Sequence, residues 1–222
     1  MSDKNVILDS ILNQGMLPLF YCDSPTVSVE VTRTLYRAGV RALEYTNRGA
    51  AALENFRIMK KTFAVEAPDL YLGIGTIKMA EEAVAFVEAG ADFIIAPIVN
   101  PAVAAVAEKA GLPWIPGCMT PTEIHQAQQL KAPVIKIFPA NILGHEFISS
   151  IRDLFPGQLF IPTGGVELNK DNIHAWFKAG VSAVGMGSKL ISKEVLQHKQ
   201  YDHLYKQTVT ALQMVREVVN EI

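Results

Sequence analysis

The chain has 222 residues, half of them hydrophobic, and a formal net charge of −2. This length allows one well-buried domain, so residues 1–222 are predicted to form a single unit. The near-neutral charge argues against nucleic acid as a partner, and no apolar stretch reaches the roughly 18 residues that span a bilayer. Because Met1–Asn5 also lacks the pattern of a signal peptide, a cytoplasmic protein without a membrane partner is expected.

Helix-like segments alternate with short apolar runs along the chain. The first helix is predicted from Val6 to Leu12, ends at Gly15, and is expected to plug one mouth of the fold. Four helix-like segments end in Ala-Gly, where glycine suits a left-handed residue. The last helix is predicted to bury Leu204, Ala211, Val215, Val218 and Ile222 on one face. The predicted strands are Leu17–Tyr21, Arg41–Tyr45, Tyr71–Gly73, Asp92–Ala96, Trp114–Ile115, Pro133–Ile137, Leu159–Ile161 and Ser182–Gly185.

This alternation of strands and helices predicts an α/β protein with a parallel sheet. Eight such units in a short chain favour a closed (β/α)8 TIM barrel with an extra N-terminal helix. A doubly wound open sheet is the alternative. The first strand, however, is not followed by the glycine-rich loop of a dinucleotide site.

Lys136 lies inside an apolar strand, where an unpaired ammonium group is costly. Burial disfavours the charged form of a lysine, and the neutral amine is a nucleophile. The second strand carries a carboxylate, Glu44, and strand alternation places each side chain on a definite face. If both faces point into the barrel, Glu44 and Lys136 can meet there. The pair could act in Schiff-base chemistry, or it could be a structural ion pair.

Further candidate residues follow the other predicted strands, at the end where barrel enzymes place their active sites. Arg48 comes just after the second strand, Thr76 after the third and Pro97 after the fourth. Phe138 follows the strand of Lys136. Taken alone, Arg48 could equally be a solvated loop residue.

Two glycine-containing turns, Gly164-Gly165 and Gly187-Ser188, follow the seventh and eighth strands. We interpret them as turns that open helices, where backbone N–H groups can hold a phosphate. Phosphate binding after strands seven and eight recurs in barrels. Each turn is a weak signal alone, since tight turns need glycine anyway.

Other kinds of site are not supported by the sequence. The five histidines show no metal-ligand spacing, so no metal site is predicted. No serine-hydrolase elbow or Walker loop is present. Cys22 and Cys118 imply no disulfide framework and are expected to be buried small hydrophobic residues.

Five motifs together resemble the signatures of one family. They are, in order, Leu43–Arg48, Gly73–Thr76, Ile135–Ala140, Pro162–Gly165 and Gly187-Ser188. The chain resembles the bacterial 2-keto-3-deoxy-6-phosphogluconate / 4-hydroxy-2-oxoglutarate aldolases over nearly its whole length. The resemblance implies a class I pyruvate aldolase of the Entner–Doudoroff pathway. It also implies a cytoplasmic homotrimer on a (β/α)8 barrel that needs no metal or organic cofactor.

The resemblance also implies a role for each candidate residue. Lys136 would form an imine with the C2 ketone of the substrate, and Glu44 would be the general acid/base, acting through a water. The remaining residues would bind the substrate. They are Arg48 and Thr76 at the pyruvyl carboxylate, Pro97 and Phe138 as walls of the pyruvate pocket, and Gly165 and Ser188, with the neighbouring amides of Gly164 and Gly187, at the phosphate.

Three positions depart from the family pattern. Pro97 is followed by Ile98 rather than glycine or histidine, and the often acidic position after the lysine motif is Asn141. The first strand ends in Leu19–Cys22, where some members carry an arginine. These changes leave open the gluconate or galactonate configuration of the substrate and the extent of 4-hydroxy-2-oxoglutarate cleavage.

Two other functions fit the same residues. A phosphate-binding barrel isomerase or epimerase would use Lys136 only as an electrostatic helper. A non-catalytic barrel would bind a keto acid as a sensor or scaffold. The combination of Lys136, Glu44 and Arg48 argues against the non-catalytic barrel.

Overall fold

In the computed structural model, which describes residues 4–222, parallel strands alternate with helices. The strands are β1 Met16–Phe20, β2 Ala42–Thr46, β3 Tyr71–Gly75, β4 Ile94–Ile95, β5 Trp114–Ile115, β6 Gly117–Cys118, β7 Val134–Ile137, β8 Leu159–Pro162 and β9 Val184–Met186. The helices are α1 Lys4–Gln14, α2 Pro25–Arg37, α3 Ala52–Glu66, α4 Ala80–Glu88, α5 Pro101–Ala110, α6 Pro121–Gln129, α7 Ala140–Ile151, α8 Lys170–Ala179, α9 Lys193–Gln197 and α10 Tyr201–Glu221.

Local sequence sets many of the helix ends. Five helices begin after a polar side chain that accepts a hydrogen bond from an N–H of the first turn, which satisfies one otherwise unpaired donor. These N-cap residues are Ser24, Asn100, Thr120, Asn169 and Ser192. The predicted Ala-Gly helix ends are confirmed, since Gly39, Gly90, Gly111 and Gly180 all have positive φ.

The strands form two parallel sheets. One has the order β5-β4-β3-β2-β1-β9 and the other β6-β7-β8. Only Pro116 separates β5 from β6, and its carbonyl accepts the Lys136 N–H at 2.8 Å. An isolated parallel bridge joins Thr163, just after β8, to Gly185 of β9. Hydrogen bonds therefore link the two sheets on both sides.

The apolar side chains form a large cluster and a smaller one. The large cluster contains strand residues such as Leu43 together with helix residues such as Phe56. The smaller cluster includes Ile7 and Ile11 of α1, so this helix packs where the predicted plug would lie. Its other buried members come from strands of both sheets or directly precede them: Leu17, Ala42, Phe93, Ile95, Ile115, Val134, Ile161 and Ala183.

The predicted strands are found, with bounds that differ by one or two residues. The predicted fifth strand is interrupted at Pro116, because proline lacks the N–H that would continue the ladder. The chain resumes beyond Pro116 as a further strand, β6. The prediction for Ile222 is wrong, since α10 ends at Glu221 and Ile222 is exposed. The other four predicted residues of that face are buried. Within residues 4–222, no helix is long and apolar enough to cross a bilayer.

The two cysteines differ in accessibility. Both thiols are free, but Cys22 is only half-buried, so the prediction that both are buried is wrong for Cys22. Burial raises the pKa of the Cys118 thiol to about 12, and the charge of Glu123 adds to the rise. Because the thiolate is the reactive form, Cys118 should be inert at neutral pH.

We therefore expect iodoacetamide at pH 8 to alkylate Cys22 before Cys118 in the native protein. Peptide mass spectrometry over a time course would measure both rates. The same reaction in denaturant is the control, because unfolding should bring the two rates together. Equal labelling of both cysteines in the native state would contradict the structure.

Candidate active site

Lys136 of β7 and Glu44, in the middle of β2, meet in the interior of the fold. The amine Nζ of Lys136 lies 3.7 Å from Oε1 of Glu44, and the two side chains are 7 % and 2 % exposed. This distance is short enough for an ion pair but too long for a hydrogen bond. The same amine lies 5.2 Å from the centroid of the Phe138 ring. The predicted approach of the two residues is confirmed, and the carboxylate does not hold the amine in a hydrogen bond.

Glu44 is almost completely buried, and its Oε1 has no hydrogen-bond partner within residues 4–222. A buried carboxylate oxygen without a partner costs free energy. An unpaired buried acceptor of this kind is rare in native folds, and a catalytic role is one explanation for it. The site therefore has an acceptor free to take a proton from a bound molecule.

Gly75 of β3 makes room for this carboxylate. A Cβ atom at Gly75 would lie only 1.7 Å from Oε1 of Glu44, so an alanine here would force the Glu44 carboxylate to move. On the same face of the strand, a Cβ atom at Gly73 would instead lie 2.1 Å from the ring of Phe93. The role of Gly75 cannot be predicted, because a close approach across strands has no signal in one sequence.

Replacing Gly75 with alanine is expected to displace the Glu44 carboxylate and to lower turnover. Gly73→Ala is the matched comparison, since it should push Phe93 and lower thermal stability without moving the carboxylate. Steady-state kinetics and the melting temperature of both variants separate these effects. The explanation fails if Gly75→Ala retains wild-type kcat.

The other predicted binding residues follow their strands, but their side chains are not joined to the Lys136–Glu44 pair. Arg48 is exposed two residues beyond β2, and its guanidinium forms no ion pair in the described part of the chain. Thr76 follows β3 directly and has a φ of 64°, unusual for a residue other than glycine. Pro97 is half-buried after β4, and its carbonyl packs against Gly117.

The turn Gly164-Gly165 packs against the start of α7. Both glycines have positive φ, at 92° and 75°, and a Cβ on either would lie within 2.9 Å of Asn141. Packing and backbone conformation therefore both require glycine here. Gly187 and Ser188 follow β9, the strand bridged to Thr163, so the two turns lie on neighbouring strands.

The prediction that these turns open helices is wrong. Helix α8 begins at Lys170 and α9 at Lys193, several residues after the glycines. After Gly187 the chain makes a tight turn, in which the N–H groups of Leu190 and Ile191 both donate to the Gly187 carbonyl. A phosphate here would rely on the backbone of the turns rather than on a helix N-terminus.

Within residues 4–222, no group of three His, Cys, Asp or Glu side chains is placed to hold a metal ion. The lack of a metal requirement stays a prediction.

Comparison with known proteins identifies the family. Residues 8–207 match the model of the KDPG and KHG aldolase family, in which the abbreviations stand for the two substrates named above. The chain belongs to this family. It is 32 % identical over 164 residues to a 2-dehydro-3-deoxy-phosphogluconate aldolase of Treponema pallidum, covering 73 % of this chain and 76 % of the relative.

Two further relatives cover almost the whole chain. An aldolase of the same name from Dickeya dadantii is 30 % identical, over 92 % of this chain and 94 % of its own. The crystal structure of a 4-hydroxy-2-oxoglutarate / 2-dehydro-3-deoxyphosphogluconate aldolase from TTHB1 is also 30 % identical. It superposes with a TM-score of 0.80 over 94 % of this chain and 98 % of its own.

Within this aldolase, the departure at the end of β1 brings in a tyrosine with partners of its own. The Tyr21 hydroxyl donates to the Asp23 carboxylate. Partial burial, together with this hydrogen bond, raises the pKa of Tyr21 to about 12. A Cβ at Gly49 would lie 2.0 Å from the Tyr21 oxygen, so the ring packs against the loop that carries Arg48. In the sequence, Tyr21 stands out only as part of a departure from the family pattern.

Proposed function

We propose that this aldolase cleaves 2-keto-3-deoxy-6-phosphogluconate, its galactonate epimer or 4-hydroxy-2-oxoglutarate by class I chemistry on Lys136. The products are pyruvate and an aldehyde such as glyceraldehyde 3-phosphate. One observation carries the proposal: a buried amine lies 3.7 Å from a buried carboxylate oxygen that lacks a hydrogen bond. The family relation supports the substrate class.

The neutral Lys136 amine attacks the C2 ketone to form a carbinolamine. Uptake of one proton and loss of water then give a protonated imine that can accept an electron pair, and the final hydrolysis returns that proton. Glu44 takes the proton of the C4 hydroxyl, through a water, while the C3–C4 bond breaks. The electrons pass to the imine, which gives an enamine and frees the aldehyde. Protonation at C3 and hydrolysis of the imine then release pyruvate and restore the amine.

Arg48 and Thr76 bind the carboxylate of the pyruvyl group in this proposal. Arginine suits the task because its planar fork can bond both carboxylate oxygens. The guanidinium has no ion pair within residues 4–222, so it is available for a substrate anion. Phe138 and Pro97 wall the pocket, and the Phe138 ring already lies next to the reactive amine.

Gly164, Gly165, Gly187 and Ser188 receive the distal phosphate. The support is their place on neighbouring strands, after the seventh and eighth units, where barrel enzymes recurrently bind phosphate. Backbone N–H groups in such turns can form a concave anion site without a helix. The Cβ atom of an alanine at Gly165 would clash with Asn141, so the turn could not keep this conformation with a side chain at that position.

We also infer that the two sheets close into one (β/α)8 barrel. Two links support closure: the Pro116 carbonyl bonded to Lys136, and the bridge between Thr163 and Gly185. The smaller apolar cluster then fills the barrel interior, with α1 across its amino-terminal mouth. We further propose that the protein is a cytoplasmic homotrimer. It would act in the Entner–Doudoroff pathway and need no cofactor.

The isomerase or epimerase alternative would need no covalent intermediate. A lactate-dehydrogenase-coupled assay on a panel of keto-deoxy sugar acids, each with and without phosphate, separates the candidates. We expect pyruvate release from at least one phosphorylated compound, and slower release from its unphosphorylated form. Interconversion of sugar phosphates without any pyruvate would refute the proposal.

A further inference from the structure

Asn47, the residue before Arg48, is bonded to the next strand–helix unit. Its side-chain Nδ2 donates to Oε1 of Glu82 at 3.2 Å. Its backbone N–H donates to the Gly75 carbonyl at 2.8 Å. We call the side-chain contact the Asn47–Glu82 bridge. It crosses from the loop after β2 to the first turn of α4.

The second oxygen of Glu82 holds the other loop. Oε2 accepts from the backbone N–H groups of Lys78, at 2.8 Å, and Met79, at 3.1 Å. These residues follow Thr76 closely in the loop after β3. One half-buried carboxylate thus bonds both loops from which Arg48 and Thr76 arise.

Capping of the helix alone does not account for both oxygens. Glu123 has the same place in α6, and its Oε2 alone accepts from the N–H groups of Met119 and Thr120, at 2.8 and 2.9 Å. A capping box therefore needs one carboxylate oxygen. Glu82 has its other oxygen turned to Asn47.

We propose that Glu82 and Asn47 are positioning residues that set the separation of Arg48 and Thr76 at the substrate carboxylate. The inference rests on the proposed function, which assigns the carboxylate to that pair. Arg48 is exposed and its side chain has no ion pair in the described residues, so no contact of that side chain fixes its position. Small displacements of a binding group lose much of its effect.

The bridge can be broken without loss of the helix cap. Asn47→Leu keeps the size of the side chain and removes the donor, whereas Asn47→Asp sets two carboxylates face to face. In Glu82→Gln, one amide oxygen can still cap α4, and the Asn47 amide can turn to accept from the new NH2. Combining Asn47→Asp with Glu82→Gln rebuilds the bridge with donor and acceptor exchanged.

The readout is borohydride trapping of pyruvate on Lys136, measured as the pyruvate concentration that gives half-maximal modification. Asn47→Leu and Asn47→Asp should each raise this concentration roughly tenfold, as expected for a hydrogen bond to a charged group. Glu82→Gln and the exchanged double variant should stay near wild type. Trapping of acetone, which has the ketone but no carboxylate, should be unchanged in all four.

Arg48→Ala separates the inference from the proposed function. If Arg48→Ala weakens pyruvate trapping but Asn47→Leu does not, the positioning role is overturned and the carboxylate assignment stands. If Arg48→Ala has no effect either, both are overturned. Failure of the exchanged double variant to recover would also overturn the inference, since an added charge beside Arg48, rather than a lost bridge, would then explain Asn47→Asp.

Discussion

Lys136→Met is expected to abolish aldol cleavage, with a loss of roughly 10⁴-fold or more, the scale found when a covalent nucleophile is removed. Methionine keeps an unbranched chain of similar length in a strand that is otherwise apolar, but it cannot form an imine. The measurement is the pyruvate-release assay at saturating substrate. Circular dichroism and the melting temperature show whether the variant remains folded.

Lys60→Met is the matched control for this variant. Lys60 is a partly buried lysine of α3, and its amine lies 2.7 Å from the Asp92 carboxylate. Asp92 comes just before β4, so this pair lies at the amino ends of the strands, away from the candidate binding residues. Its loss should lower stability and leave turnover unchanged. A folded Lys136→Met protein with more than traces of activity would exclude imine chemistry at this residue.

Glu44→Gln is expected to lower kcat by about 10²–10⁴-fold, the range for loss of a general acid/base. Glutamine keeps the shape of the side chain beside Gly75 and removes its ability to carry a proton. The reaction would stall at proton transfer, so covalent attachment of pyruvate to Lys136 should remain detectable by mass spectrometry. The steady-state rate and the trapped adduct are measured on the same preparation.

Asp92→Asn is the control for Glu44→Gln, because it neutralises a half-buried carboxylate far from the reacting atoms. This variant should keep wild-type kcat. If Glu44→Gln also keeps it, the proton passes through another group and the assignment of Glu44 fails.

The sequence predicts the meeting of Lys136 and Glu44 because a strand has a period of two residues. Once β2 and β7 are placed in one parallel fold, alternation gives the face of each side chain. This rule does not give the distance between the two side chains. The 3.7 Å between Nζ of Lys136 and Oε1 of Glu44, and the missing hydrogen bond on Oε1, come only from the packed structure.

The roles of Gly75, Asn47 and Glu82 could not be predicted. Each depends on a contact between residues about 30 positions apart in the chain, for which a single sequence carries no signal. The sequence does not mark Glu82 even as part of a helix cap, since Met79 stands where serine or threonine is usual. The glycine turns show the opposite error, because a glycine pair before a helical pattern suggested a direct helix start that an intervening loop prevents.

Imine formation on Lys136 is tested by reduction with sodium borohydride in the presence of pyruvate, followed by peptide mass mapping. We expect one three-carbon adduct per chain, on the peptide that contains Lys136, with activity lost in proportion to modification. Full activity after reduction, or an adduct on a surface lysine instead, would contradict it.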